Sequence, residues 1–392
     1  YILYLIQYLP YAITLIFLLL PAVFLGFQQR SLNFYGLSGS FLILLIVFGS
    51  RPRQLFYLLG SFLLSMLLIK AALLWRKRQA FRIWSFLLFL LPALFPMILK
   101  NFVLIPGQQL PLYAAEVCLS LKTIQILVYI YRDRIREYPA GECAGFLLFF
   151  PSLFLGPLDN SLEFHRSWTY VPSVKEYRRL GGKGLKELLW GIFYLLFIAH
   201  ILSIFLQELE SRILKGYALW YLLFPYALLY GARLFFFLAG FSRIGAGCSC
   251  LLGVEGKENF HKPFFSADIK DFWSRWQITF TCWLKEFIFC PFVKKFKKSR
   301  QFSCPHLGKC LGYLLTMGAL GIFYGITPSS LLFALYHGLL LCLLELWKEK
   351  IPLHKKWNDN SAYKFFSWLL TLLLLLFGFF ILSGMFPEIL SL

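Results

Sequence analysis

The sequence predicts an all-α, polytopic integral membrane protein, on three observations. Of 392 residues, 59% are hydrophobic and only 15% are charged, whereas globular chains hold about 45–50% and about 25%. Apolar runs long enough to cross a bilayer recur along the chain, a spanning helix needing about 20 such residues. The basic residues gather in the loops between alternate runs. Intrinsic disorder is excluded, because so much apolar surface demands burial. A disulfide-stapled secreted module is excluded by the length and by nine scattered cysteines. A net charge of +20 on so apolar a chain belongs in cytoplasmic loops and against anionic membrane lipids. It does not point to nucleic acid.

About ten spans are expected, at 2–27, 34–50, 54–75, 83–105, 112–131, 187–208, 217–240, 311–326, 331–347 and 364–386. The chain starts at Tyr1, so a few residues are expected to precede it. Its first run has no basic leader and no small-residue cleavage pattern, and reads as a span and not as a signal peptide. The run Ala144–Leu158 is broken by Pro151, Gly156 and Pro157. It is too short to span and reads as re-entrant or buried, since irregular backbone is tolerated at membrane depth only inside protein or beside water. The basic loops 76–82, 132–137, 257–300 and 348–357 fall on one side of a ten-span arrangement, with Arg51 and Arg53 the dissent. The expectation is a multi-pass protein of the cell membrane with basic loops cytoplasmic and both termini outside. No internal repeat of the transporter kind stands out. One membrane domain is expected over 1–392, with N-terminal spans in 1–135, a re-entrant segment and core in 144–310, and C-terminal spans in 311–392.

Within 257–300, Trp273, Trp276, Phe280, Trp283 and Phe287 recur at helical spacing. Arg275, Thr279, Cys282 and Glu286 keep the same spacing on another face. One amphipathic cytoplasmic helix is expected. Alone, such a helix need do no more than anchor in headgroups.

Its surroundings are more specific. Asn259-Phe260-x-Lys262-Pro263-Phe264 precedes Phe272-Trp273-x-Arg275-Trp276, and Trp283-x-Lys285-Glu286-Phe287-Ile288 comes after. Elsewhere stand Phe149-Phe150-Pro151-Ser152, Gly156-Pro157-Leu158-Asp159, Leu335-Tyr336-His337-Gly338 and the stretch Phe377–Gly384. In order and spacing these runs resemble the membrane-bound O-acyltransferase (MBOAT) family, in particular its DltB-like branch of teichoic-acid D-alanylation. The likeness covers most of the chain from about residue 120 onward.

The resemblance implies the MBOAT fold, a helical wall around a thin, funnelled centre. It also implies transfer of a D-alanyl or related acyl group from a thioester on a carrier protein's phosphopantetheine arm. The acceptor would be a hydroxyl of a cell-envelope polymer such as teichoic acid, or of a lipid-linked acceptor. No bound cofactor and no metal are expected. A substrate tunnel would run past Trp273, Arg275, Trp276 and Arg243. The acidic acyl carrier protein would dock on Phe287, Ile288, Phe289, Phe292 and Val293 beside Lys294 and Lys295, an apolar anchor next to positive charge. The same lysines suit anionic lipids.

Acyl transfer to a hydroxyl needs a base for its proton and donors for the carbonyl oxygen as it turns negative. The family places one histidine directly after the Arg-Trp pair and another in a later Trp-His-Gly motif. Here those positions hold Gln277 and Tyr324. Arg243 stands where an acid is expected, and Asn160 and Leu162 where arginines are expected. Glutamine takes no proton, and tyrosine, with a pKa of about 10, normally keeps its own. His337 is the family membrane histidine that remains. His337, Tyr324 and Gln277 are therefore the candidate catalytic residues, with the last two as donors and His337 as substitute base. Two functions stay open: an acyltransferase with a rearranged site, and a catalytically impaired relative acting as a carrier- or polymer-binding scaffold.

His337 is itself either a working group or a neutral imidazole packed between helices. Arg243 either snorkels or faces a phosphate-bearing arm. Gly245, Gly247 and Gly253 lack the context of a nucleotide loop and are expected to let helices approach. The cysteines lack zinc-site spacing and read as reduced packing residues. His165, His200, His261, His306 and His354 read as solvated or interfacial.

Overall fold

The computed structural model describes residues 2–76, 110–215, 219–298, 305–350 and 360–386. The span expected at 83–105 lies outside them, as do Arg300, Cys304, His354 and most of the basic loops 76–82 and 348–357. No strand forms among the described residues. The protein is a succession of helices, and every expected span within the described residues falls on one. Seven described helices are long and apolar enough to cross a membrane. The chain divides into two compact units, 1–196 with 240–257 and 197–239 with 258–392.

The first unit begins with α1 (Ile2–Phe27), α2 (Asn33–Phe48) and α3 (Pro52–Trp75). Its core is α4 (Leu110–Tyr131), which is almost wholly buried although it carries Glu116, Lys122 and Gln125. The broken segment comes next in the chain. It forms two short helices, α5 (Ala140–Leu147) and α6 (Phe150–Leu153), then α7 (Ser161–Thr169). Phe146 to Leu153 are buried, as expected for a re-entrant or buried run. Buried irregular backbone needs partners from elsewhere, and the polar groups of α4 supply them. Lys122 Nζ donates to the Phe146 carbonyl at 2.8 Å, and Gln125 Oε1 accepts from the Ser161 N–H at 2.8 Å. Tyr129 Oη accepts from Asn160 Nδ2 at 2.9 Å. Burial pushes the carboxyl of Asp159 above the usual carboxylate range, and the nearby Lys122 ammonium opposes that rise.

The span expected at 187–208 is the middle of a 41-residue helical run, Val174–Leu214. It consists of α8 (Val174–Phe193), a wide π-helical turn, and α9 (His200–Leu214). Ser173 starts it, its hydroxyl accepting from the Glu176 N–H, so the Ser-x-x-Glu signature of a helix start was present in the sequence. Hydropathy missed this start because the first turns are basic. α10 (Leu219–Leu251) follows. Its C-terminal part meets α8 through a seam of glycines. A Cβ on Gly247 would lie 2.7 Å from the Gly184 carbonyl oxygen, and one on Gly191 would lie 2.8 Å from that of Gly240. Gly247 thus allows close approach of α8, and Gly245 that of the broken segment, where its Cβ would lie 2.3 Å from the Pro151 carbonyl oxygen.

The second unit packs the start of α10 and α9 against α16 (Ser361–Leu382) around Leu206, Ile213, Tyr226, Leu376 and Phe380. It also holds α11 (Ile269–Arg275), α12 (Ile278–Leu284), α13 (Cys290–Lys298), α14 (Pro305–Tyr324) and α15 (Pro328–Lys350). The candidate catalytic residues all lie in this unit.

Candidate active site

The single amphipathic helix expected over 273–287 is broken. α11 ends where Trp276 turns extended, with φ −106° and ψ 123°. Gln277 is left-handed, with φ 44° and ψ 54°, and α12 starts directly after it. A left-handed non-glycine residue costs roughly 1–2 kcal/mol, so the surroundings must hold it. They do so through the Asn-Phe-x-Lys-Pro-Phe run. His261 N–H donates to the Arg275 carbonyl at 3.0 Å, and Ile278 N–H donates to the Asn259 carbonyl at 2.9 Å. Asn259 Oδ1 accepts from Thr279 N–H at 3.0 Å and from Thr279 Oγ1 at 2.9 Å. Asn259 therefore caps α12 from a distant part of the chain, satisfying N–H groups that every helix start leaves open. Asn259→Ala is expected to cost about 1–3 kcal/mol, seen as a lower melting temperature of the purified protein, while Asn259→Asp retains most of the stability.

The break aims the site residues. The Trp276 ring is 1% exposed. It is enclosed by Phe235, Phe260, Phe264, Phe272 and Phe379, with centroids 5.2–6.3 Å away. Its indole N–H is left pointing at Tyr324, donating to the hydroxyl at 3.3 Å. Tyr324 in turn donates to Gln277 Oε1 at 2.7 Å. Because the tyrosine oxygen accepts from the indole, its proton goes to the glutamine. That fixes which end of the amide faces Tyr324 and leaves the amide N–H groups turned away from it.

His337 sits on α15 and is 1% exposed. Trp273, Phe333 and Tyr336 surround its ring at 5.4, 4.4 and 5.3 Å. Among the described residues neither ring nitrogen has a hydrogen-bond partner, a rare state for a buried polar group and one that calls for an explanation. Gly378 on α16 makes room for it: a Cβ there would lie 2.4 Å from Nε2. Phe333 also stacks on Tyr324 at 6.1 Å, so one phenyl ring touches both candidates. The three expected catalytic residues are thus gathered in one unit, two of them in direct contact and the third across a ring.

The residues expected along a tunnel are placed differently. Trp273 and Trp276 are buried in aromatic packing, since edge-to-face contact suits such rings. Arg275 is partly exposed and its Nε binds Asp271 Oδ1 at 2.8 Å. Burial pushes the Asp271 carboxyl up, but hydrogen bonds from Arg275 and the Ala267 N–H outweigh it and hold it below the usual range. Arg243 belongs to the first unit, where Glu187 pairs with it at 2.7 Å and Tyr194 lies under its guanidinium at 5.3 Å. Its charge is shared with that carboxylate.

The expected carrier surface lies around the start of α13. Phe289 stacks on Tyr313 of α14 at 4.8 Å, and Phe289 and Val293 both pack over Gly312. These two also pack against α14. Phe287 lies beside Trp283 at 5.0 Å and Phe292 beside Phe296 at 6.1 Å. Phe287, Ile288, Phe289, Phe292 and Val293 are all partly exposed, and Lys294 and Lys295 are exposed. His165, expected in a solvated or interfacial role, is half-exposed, and its Nδ1 meets the buried Glu142 carboxyl at 2.7 Å.

The resemblance carried by the motifs is borne out by the relatives to which this chain is similar. The chain is 26% identical to the teichoic acid D-alanyltransferase of Bacillus subtilis (strain 168), over 96% of this chain and 98% of that protein. It is 26% identical to the protein of the same name in Streptococcus thermophilus, over 90% of this chain and 86% of the relative. The probable alginate O-acetylase AlgI of Pseudomonas aeruginosa is 24% identical, over 67% of this chain and 47% of its own length. No family model matches the chain.

Proposed function

We propose that this protein transfers a D-alanyl or related small acyl group from the phosphopantetheine thioester of a carrier protein to a hydroxyl of an envelope polymer such as teichoic acid. The relatives' names support an acyl transfer at a membrane. One observation carries the assignment of roles. Tyr324 gives its proton to Gln277 Oε1, which turns the amide N–H groups away from it, and across the Phe333 ring from Tyr324 lies a histidine whose two ring nitrogens have no partner among the described residues.

The acceptor hydroxyl oxygen attacks the thioester carbonyl carbon while His337 takes the hydroxyl proton. The carbonyl oxygen becomes negative and is met by the Gln277 amide. The intermediate then collapses, the carbon–sulfur bond breaks, and the imidazolium returns the proton to the leaving thiolate. Tyr324 is a positioning residue that holds the glutamine. Lys294 and Lys295, with Phe287, Ile288 and Phe292, receive the acidic carrier from the cytoplasmic side, where the basic loops lie, and the acceptor enters from outside.

A second reading rests on the same contact. Gln277 and Tyr324 satisfy one another where the family has two histidines, as a structural tie would in a non-catalytic scaffold. Rates with a loaded carrier separate the two. Under the first reading the native protein turns over, and Tyr324→Phe lowers kcat by about 10- to 100-fold with KM little changed, the loss of one oriented donor costing up to about 10²–10³. Under the second the native protein is silent, and Gln277→His with Tyr324→His creates turnover.

A further inference from the structure

The outer side of α8 changes character along its length. Lys175, Arg178, Gly182 and Lys186 are all exposed and succeed one another at three or four residues, so they share one side of the helix. None of the three cations has an ion pair among the described residues. Their neighbours Arg179 and Lys183 do, both meeting Glu255, at 3.3 and 3.4 Å. Directly beyond Gly182 the same side becomes apolar. Gly182, Leu185, Lys186, Leu189, Trp190 and Phe193 line a shallow, widely open groove. Nothing lies within 4 Å of where a Cβ on Gly182 would be, so the groove is open at its charged end.

The helix length explains the change. The helical run is 41 residues, about twice what a hydrocarbon core takes. Exposed apolar side chains recur from Leu185 through Leu189, Phe193, Phe197 and Ile201 to Phe205, on the order of one crossing. The turns before Leu185 therefore lie at headgroup depth, with Lys186 at the boundary and Trp190 one turn inside, where aromatic residues favour the interface. Unpaired cations at phosphate depth above an apolar groove match one ligand chemistry, a lipid with a negative head and an acyl chain.

We propose that this face of α8 is a selective site for an anionic glycerophospholipid. Its phosphodiester is held by Arg178 and Lys186, with Lys175 adding charge, and one acyl chain lies along Leu185, Leu189 and Phe193. The site is independent of the acyl-transfer reading.

The test uses the full-length protein in nanodiscs of phosphatidylcholine containing a minor share of phosphatidylglycerol, with retained lipid identified by native mass spectrometry. Phosphatidylglycerol is expected to be enriched on the order of tenfold, each basic residue at the surface contributing to the attraction. In the variant Lys175→Gln with Arg178→Gln and Lys186→Gln, the enrichment falls to about onefold. Gly182→Leu fills the groove and lowers retention of phosphatidylglycerol with every charge in place. The proposal is overturned if the triple variant keeps the enrichment, which would place the lipid at another basic cluster. It is equally overturned if inorganic phosphate displaces the lipid as well as phosphatidylglycerol does, which would make this a plain anion site.

Discussion

Replacing His337 by phenylalanine is expected to abolish acyl transfer, with a loss of about 10²–10⁴ in rate, the usual contribution of a general base. The side chain sits among Trp273, Phe333 and Tyr336, a setting in which another aromatic ring packs well. If the imidazole served only to fill that space, His337→Phe would keep its activity. Initial rates with a loaded carrier decide the matter, read beside a melting curve showing that the variant is folded. Gly378→Ala supplies a companion, since its Cβ would fall 2.4 Å from the imidazole Nε2 and must displace the ring. A lower rate in a folded Gly378→Ala protein shows that the placement of the ring matters as well as its presence.

The second large effect is on stability. Lys122→Met is expected to destabilise the protein by about 1–3 kcal/mol, because the buried Phe146 carbonyl loses its donor and the buried Asp159 carboxyl loses the nearby positive charge. Lys122 is fully buried, bonds the Phe146 carbonyl, and opposes the upward push of burial on Asp159. Adding Asp159→Asn removes the buried ionisable carboxyl and is expected to recover part of the loss. The pH dependence has a definite sign. With Lys122 gone, the Asp159 carboxyl rises further above its unfolded value, so the folded state binds that proton more tightly than the unfolded chain does. Stability then falls as pH rises through the folded pKa, and the defect of Lys122→Met shrinks on acidification. Denaturant unfolding at several pH values measures both.

Much of this architecture is legible in the sequence because membrane burial is coarse. Apolar runs gave the spans, and Pro151, Gly156 and Pro157 marked the broken segment. The candidate residues could be named from motif order alone. What stayed hidden depended on contacts between distant residues. The spacing of Trp273, Trp276, Phe280 and Trp283 continues across the break at Gln277, so periodicity reads a single helix. The cap that allows the break comes from Asn259, twenty residues before Thr279. The start of α8 carries a Ser-x-x-Glu signature, but its basic turns do not look like a span. Amphipathicity marked Phe289 and Val293 as apolar without saying that Gly312 of α14 receives them. Nor does sequence pair Arg243 with Glu187, 56 residues away.

The decisive measurement is the transfer itself. The purified protein is incubated in lipid with a D-alanyl-loaded carrier and teichoic acid, and two products are monitored: base-labile D-alanine on the polymer and free thiol on the carrier. The proposed chemistry predicts that they appear in equal amounts and that both vanish in His337→Phe. A carrier that stays loaded, or thiol released with no ester on the polymer, would contradict it.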